Sequence, residues 1–302
     1  MFVKAGIKGR NDASQYLLTI SIVVAAYIML GYLPMYISLY FSSFDLTKSL
    51  DTSAMITVFG NNLFLTIVLF PFIVVLLTLF VCIKIIHKRN ILTLFTIRES
   101  FDWKRFFFSF SVWGSVMAIF LVISFLAGYP IEWNFDASTF FILFFISIFI
   151  LPLQTTCEEV LFRGYLFQGF GSIFKRGIFP VAITGVLFGL MHGANPEVEK
   201  LGTIMLVYYI VNGLFLGIVT LMDDGLELTM GYHAINNIFA ALIVTNNWQA
   251  FHTDALFIDK SPPSFGIENI ITLIVIQPLL LVLFAKKYKW TNWKQRLFHS
   301  LK

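Results

Sequence analysis

Six residues in the second half of the chain have the types and spacings needed to hydrolyse an amide. Glu158 and Glu159 are adjacent, and Arg163 follows Glu159 by four residues in ILPLQTTCEEVLFRGYLF. His192 ends the run FGLMH, and His233 and Asn237 are four apart in HAINN. A carboxylate can take a proton from water, and a histidine can orient that water. N–H donors can stabilise the oxyanion that forms when water attacks a carbonyl. Such a set needs no covalent acyl intermediate. On a helix, Glu159 and Arg163 share one face in the favourable order, acid before base, so they are expected to pair. Glu158 is turned by about 100° from Glu159 and has no sequence-local cation, which leaves it the freer of the two to act on water. Read without chemistry, the three charges would be a structural ion network, and each histidine a hydrogen bonder between packed helices.

Two other chemistries compete for the same residues. Cys157 precedes Glu158, but adjacent helical positions diverge by about 100° and no histidine is paired with it locally, which argues against a cysteine nucleophile. Cys82 and Cys157 both lie in apolar runs without a CxxC pattern and read as buried free thiols. Glu158 or Glu159 with His192 and His233 would also make a two-histidine, one-carboxylate zinc site with an open water position. No HExxH segment is present, and Asn237 is a poor zinc ligand but a good oxyanion donor. The expectation is therefore a reaction with no metal and no cofactor.

These groups stand in a chain built for lipid. Of 302 residues, 58% are hydrophobic and 13% charged, against about 25% charged in soluble domains, and the mean hydropathy is +0.82. The fold expected is all-α, a polytopic membrane protein, with the 35 phenylalanines serving as bulk apolar surface. An ionisable group at membrane depth costs at least about 2.5 kcal/mol at a helix centre, so the polar residues should face the interior of a helical bundle. Eight spans are expected: 16–41, 63–86, 106–128, 138–167, 178–193, 203–222, 227–244 and 270–285. The first is longer than a signal h-region and is expected to stay in the mature chain. The fifth and eighth are short, and Pro71, Pro152 and Pro278 should bend their helices without breaking them.

Charge placement orients the spans. With the N-terminus in the cytoplasm, 17 of the 21 basic residues fall on the cytoplasmic side. Lys48, Lys200 and Lys260 lie opposite and Arg163 lies within a span. Both termini are then cytoplasmic, and the +4 net charge reports orientation and not nucleic-acid affinity. Asp45, Asp51, Glu132, Asp136, Asp254 and Asp259 gather outside. A transporter would need inverted repeats, and none is seen.

Taken together, EEVLFR, FGLMH and HAINN resemble, in order and spacing, the motifs of the CPBP intramembrane proteases, the group that holds the CAAX prenyl endopeptidases and the bacteriocin-processing or immunity proteins called Abi proteins. The resemblance covers about 140–244. It implies an intramembrane endopeptidase with Glu158 as general base, His192 positioning water, His233 and Asn237 forming the oxyanion hole, and Glu159 and Arg163 in support. It also implies a bacterial plasma membrane setting, contact with membrane lipid, and a peptide or protein substrate, lipidated or hydrophobic. A non-proteolytic immunity or scaffold protein of the same fold is the alternative.

The chain divides into a three-helix portion at 1–134, a catalytic helical core at 135–250, and a final helix with a basic cytoplasmic tail at 251–302. Gly185, Gly189, Gly213 and Gly217 should let helices approach closely within the protein. Asn212 is read as a packing residue. Asp223, Asp224 and Glu227 read as a solvated acidic turn at the cytoplasmic mouth, and Trp290 and Trp293 as part of an interfacial tail. Glu158 should lie toward the cytoplasmic end of its helix, with the site opening to that side. His192, about 14 residues into the fifth span, then sits too deep for a fully upright helix.

Overall fold

The chain is described by a computed structural model covering residues 1–7, 9–42 and 52–300. Lys8, Lys48, Lys302, Asp45 and Asp51, which entered the charge pattern, lie outside the described residues. The helices are α1 (Ala13–Phe41), α2 (Thr52–Ile85), α3 (Trp103–Leu126), α4 (Ala137–Phe174) and α5 (Ile178–Met191). They continue as α6 (Pro196–Leu201), α7 (Thr203–Asp223), α8 (Glu227–Ile238), α9 (Ile267–Tyr288) and α10 (Trp293–Phe298). Six of them, α1 to α4, α7 and α9, are long and apolar enough to cross a membrane. The other two expected spans are shorter helices: α5 has 14 residues, and α8, of 12 residues, is extended by a π turn at Phe239–Ile243. The protein is an all-α polytopic membrane protein.

Proline and glycine shape the long helices differently. In α1, α4 and α9, a π turn (Tyr27–Gly31, Ile146–Ile150 and Thr272–Ile276) comes just before Pro34, Pro152 and Pro278. Proline has no N–H to give and its ring clashes with the carbonyl four residues back, so a locally wider turn accommodates it without ending the helix. Pro71 is carried inside α2 without a break. The break in α2 falls instead at Gly60, with φ 72° and ψ 164°, a conformation open to glycine and poorly tolerated by other residues. The helices thus continue through Pro71, Pro152 and Pro278 as expected, and the break falls at a glycine before the expected span 63–86.

Two helix pairs organise the core: α5 runs antiparallel to α7, and α3 runs parallel to α8, Gly231 meeting Phe106 and Ile235 meeting Gly114. The first needs its glycines. A Cβ on Gly185 would lie 2.9 Å from Leu214 N, one on Gly213 would lie 2.8 Å from Gly185 Cα, and one on Gly189 would lie 2.7 Å from Ile210 N. A three-stranded sheet, β1 (Ile131–Trp133), β2 (Val244–Thr245) and β3 (Phe257–Asp259), closes the end away from most of the basic residues. Its order is β1-β3-β2, antiparallel between β1 and β3 and parallel between β2 and β3.

At the opposite, basic end the acidic turn is not solvated. Asp223 and Glu227 are 3% and 0% exposed. Arg98 donates to Asp223 Oδ2 at 3.2 Å and to Glu227 Oε2 at 3.0 Å. Arg105 and the Trp290 indole donate to Asp223 Oδ1. Arg296 pairs with Asp224 at 2.8 Å and donates to the carbonyls of Leu221 and Met222. The last carbonyls of a helix lack intrahelical donors and carry partial negative charge, so arginines gather at the end of α7. The tail containing Trp290 and Arg296 therefore folds back onto the protein at this point.

Candidate active site

Two i,i+4 pairs form the base of the site. On α4 they are Gln154 and Glu158, and on α8 His233 and Asn237. The two pairs meet as rungs between antiparallel helices. Asn237 Nδ2 donates to Gln154 Oε1 at 3.0 Å, and His233 Nε2 lies 3.4 Å from Glu158 Oε2, an ion-pair distance without hydrogen-bond geometry. Gln154 was not identified from the motifs, although its one-turn spacing from Glu158 places it on the same helical face.

Glu159 points elsewhere. Its Oε1 is 3.0 Å from Arg163 Nη1 and 2.9 Å from His233 Nδ1, and Glu159 and Arg163 are both fully buried. The expected pairing of Glu159 with Arg163 is present, even though Arg163 stands inside a second π segment of α4, Val160–Leu166. A carboxylate accepts and does not donate, so His233 gives its Nδ1 proton to Glu159 and turns Nε2 toward Glu158. His233 is thus flanked by both glutamates. Glu158 Oε2 and Glu159 Oε2 are buried without a hydrogen-bond partner among the described residues.

Phe188 links the remaining groups. Its ring lies 4.0 Å beneath the Arg163 guanidinium, edge-on to the His233 ring at 5.9 Å and 4.7 Å from the His192 ring. A cation above an aromatic face is favourable, and more so where water is excluded. His192 itself caps α5 and is half-buried. Its Nδ1 is 2.8 Å from Phe188 O, and its ring stacks on Tyr209 at 4.2 Å. Among the described residues, no hydrogen bond or ion pair joins His192 to Glu158, Glu159, His233 or Asn237. The structure therefore joins Glu158, Glu159, Arg163 and His233 through direct contacts, holds Asn237 one turn along α8 on Gln154, and sets His192 one phenylalanine ring away.

The depth difficulty is resolved by α8. Helix α5 begins, as expected, next to exposed Lys175 and Arg176. Helix α8 begins inside the protein: Leu226 and Glu227 are fully buried, and Leu226 N donates to Phe95 O beneath the segment that joins α2 to α3. Helix α4 continues to Phe174, so Glu158 stands near the middle of its 38 residues and not at one end. Both features bring the polar groups toward the level of Phe188.

No three of His, Cys, Asp and Glu among the described residues are grouped so as to hold a metal ion. Asn236, adjacent to the site, accepts from the Trp113 indole at 3.2 Å and donates to Asn237 Oδ1 at 3.1 Å, tying α8 to α3. Asn212 accepts from Gln277 Nε2 at 2.7 Å and so joins α7 to α9. Cys82 and Cys157 are free and buried. A cavity of about 550 Å³ at the basic end, lined by Lys88, Arg89 and Arg98 among others, shares no residue with this constellation.

Comparison with known proteins agrees with the geometry. The chain is 28% identical over 249 residues, 79% of its own length and 80% of the relative's, to the uncharacterized protein YyaK of Bacillus subtilis (strain 168). No solved structure matches it. Residues 136–239, which carry Glu158, Glu159, Arg163, His192, His233 and Asn237, match the family model of the type II CAAX prenyl endopeptidase Rce1-like proteins. That match supports a membrane endopeptidase in general and is consistent with the CPBP group. Across its glutamate and histidine cluster this membrane protein is thus similar to the Rce1-like type II CAAX prenyl endopeptidases.

Proposed function

We propose that the protein is an intramembrane endopeptidase in which Glu158 activates water for direct attack on a peptide bond. The observation that carries this reading is the asymmetry of the two glutamates. Glu159 Oε1 is committed to Arg163 and His233, whereas Glu158 accepts no hydrogen bond among the described residues and faces the His233 ring at 3.4 Å.

Glu158 takes a proton as the water oxygen bonds to the carbonyl carbon, and the carbonyl oxygen becomes an oxyanion. Asn237 donates to that oxyanion, with Gln154 holding its amide in place; His233 joins it through Nε2–H in the form that carries both ring protons, Nδ1–H staying on Glu159, and His192 orients the water. The C–N bond then breaks, and the proton on Glu158 passes to the leaving amine. Glu159 and Arg163 fix His233 from behind.

The excess of basic residues at one end supports a reading in which both termini, and the opening of the site, face the cytoplasmic side of a bacterial plasma membrane. The substrate is a hydrophobic or lipidated peptide or protein that arrives from the bilayer.

The test is cleavage, in detergent or vesicles, of a fluorogenic peptide ending in a CAAX sequence, with and without a prenyl group, together with membrane peptides from cells carrying wild-type or Glu158→Gln protein. Turnover should fall by roughly 10²- to 10⁴-fold in Glu158→Gln, with the variant still folded. Wild-type turnover in Glu158→Gln rejects the assigned base. Complete, zinc-reversible loss of wild-type activity with chelator replaces the metal-free mechanism.

A further inference from the structure

His192 has no hydrogen bond to the other groups of the site, yet its ring is held closely. Its Nδ1 faces Phe188 O at 2.8 Å. A carbonyl only accepts, so Nδ1 carries the proton and Nε2 keeps its lone pair. The ring stacks on Tyr209 with centroids 4.2 Å apart and planes at 23°, and Phe188 lies against it at 4.7 Å.

Tyr209 is itself anchored. Its hydroxyl donates to Glu197 Oε1, which also accepts from Asn195 Nδ2 at 2.9 Å, while Glu197 Oε2 accepts from Ala250 N at 3.0 Å. Glu197 is 3% exposed, so its carboxylate is buried with three donors from three separate segments of the chain. The approach depends on Gly189, one turn before His192. A Cβ there would lie 2.7 Å from Ile210 N and 2.9 Å from Ile210 Cα, beside Tyr209. The small residue lets α5 and α7 cross closely enough for the two rings to stack.

We propose that Tyr209, anchored by Glu197, is a positioning residue that sets the ring plane of His192 and keeps its Nε2 free to face water. The inference rests on the role given to His192 under the proposed function. Neither Tyr209 nor Glu197 belongs to the three motifs. Both act through His192 and not on the substrate.

The experiment uses the full chain in detergent with ¹⁵N-labelled histidine, the His192 signals being assigned by their loss in His192→Gln. Wild type should show the Nδ1–H tautomer. Tyr209→Ala should disturb that signature, change the pH profile of kcat and lower kcat by on the order of 10²-fold. KM should stay within about threefold, as expected when positioning and not uniform binding is lost. Tyr209→Phe keeps the stacked ring and removes only the anchor, so it should lower kcat less than alanine does; should the alanine variant fail to fold, Phe and Glu197→Gln carry the test through the same signals.

An unchanged His192 signature and an unchanged pH profile in Tyr209→Ala and Tyr209→Phe overturn the proposal. The underlying reading fails in a different way: His192→Gln would then cleave like wild type while the His192 signals of wild-type protein still respond to Tyr209. If His192→Gln is inactive and its signals in wild type ignore Tyr209, the catalytic reading stands and the positioning role does not.

Discussion

Among the described residues two buried ion clusters, one at the basic end and one in the bundle interior, are satisfied to different degrees. At the basic end, Arg98, Arg105, Asp223 and Glu227 leave no carboxylate oxygen unpaired. Asp223 Oδ1 takes Arg105 and Trp290, Asp223 Oδ2 takes Arg98, Glu227 Oε2 takes Arg98 and Glu227 Oε1 faces Asp102 N. In the bundle interior, Glu158, Glu159 and Arg163 keep Glu158 Oε2, Glu159 Oε2 and Arg163 Nε without hydrogen bonds among the described residues. Leaving a buried charged group unsatisfied costs stability, and a cluster that served packing alone would be expected to close, as the basic-end clamp does. The incomplete cluster coincides with the His-x-x-x-Asn face and with the Rce1-like match, and its unpaired atoms support the proposed place for chemistry.

The sharpest way to break this contrast is to neutralise one acid in each cluster. Glu158→Gln should abolish cleavage, by roughly 10²- to 10⁴-fold, while its thermal midpoint in detergent stays near wild type, because among the described residues no arginine or lysine is ion-paired with Glu158 and its contact to His233 lacks hydrogen-bond geometry. A large drop in midpoint would make Glu158 part of the structural network instead. Asn237→Ala should cost on the order of 10²-fold or more in kcat with a smaller change in KM, the size seen when one oxyanion donor is removed.

The clamp should show the reverse pattern. Arg98→Ala leaves buried Glu227 without its arginine and takes one of the two arginines from Asp223, and should destabilise by about 3–5 kcal/mol, read as a lower unfolding midpoint. The surviving folded enzyme should cleave at the wild-type rate per molecule, and a selective loss of kcat would join the two clusters functionally.

The smallest effect concerns pH. His87 is fully buried just beyond α2, with Nδ1 2.8 Å from Arg10 O and Nε2 3.0 Å from the Tyr165 hydroxyl. Burial lowers its pKa, and nearby Arg89 acts in the same direction, while the bond to Arg10 opposes them. A histidine neutral in the folded state takes up more protons when unfolded. Its contribution is therefore present above the ordinary histidine value of about 6.5 and lost as pH falls below it. Unfolding midpoints at pH 8 and pH 5.5 should differ more in wild type than in His87→Gln.

Local patterns made much of this legible. Apolar runs of span length specified the membrane helices, and i,i+4 spacing gave the Glu159–Arg163 pair and the shared face of His233 and Asn237. The misses have a common cause. Asp223 and Glu227 look like an acidic turn because their partners, Arg98, Arg105, Trp290 and Arg296, come from segments far away in the chain. Gln154 escaped notice because its value lies in meeting Asn237 across two helices. The wide turns before Pro34, Pro152 and Pro278, and the break at Gly60, are local responses that residue type alone does not specify.

From its sequence alone the chain determines a polytopic helical membrane protein and a set of carboxylate, imidazole and amide groups, since helix formation and helical spacing depend on near neighbours. Tertiary structure decided which partner each group has: His233 between two glutamates, Asn237 on Gln154, Phe188 between the two histidines, and the acidic turn closed by arginines. Those outcomes depend on how helices α4, α5, α7 and α8 cross. Crossing is set by close approach at glycines and by the burial of charges that must find partners wherever the fold supplies them.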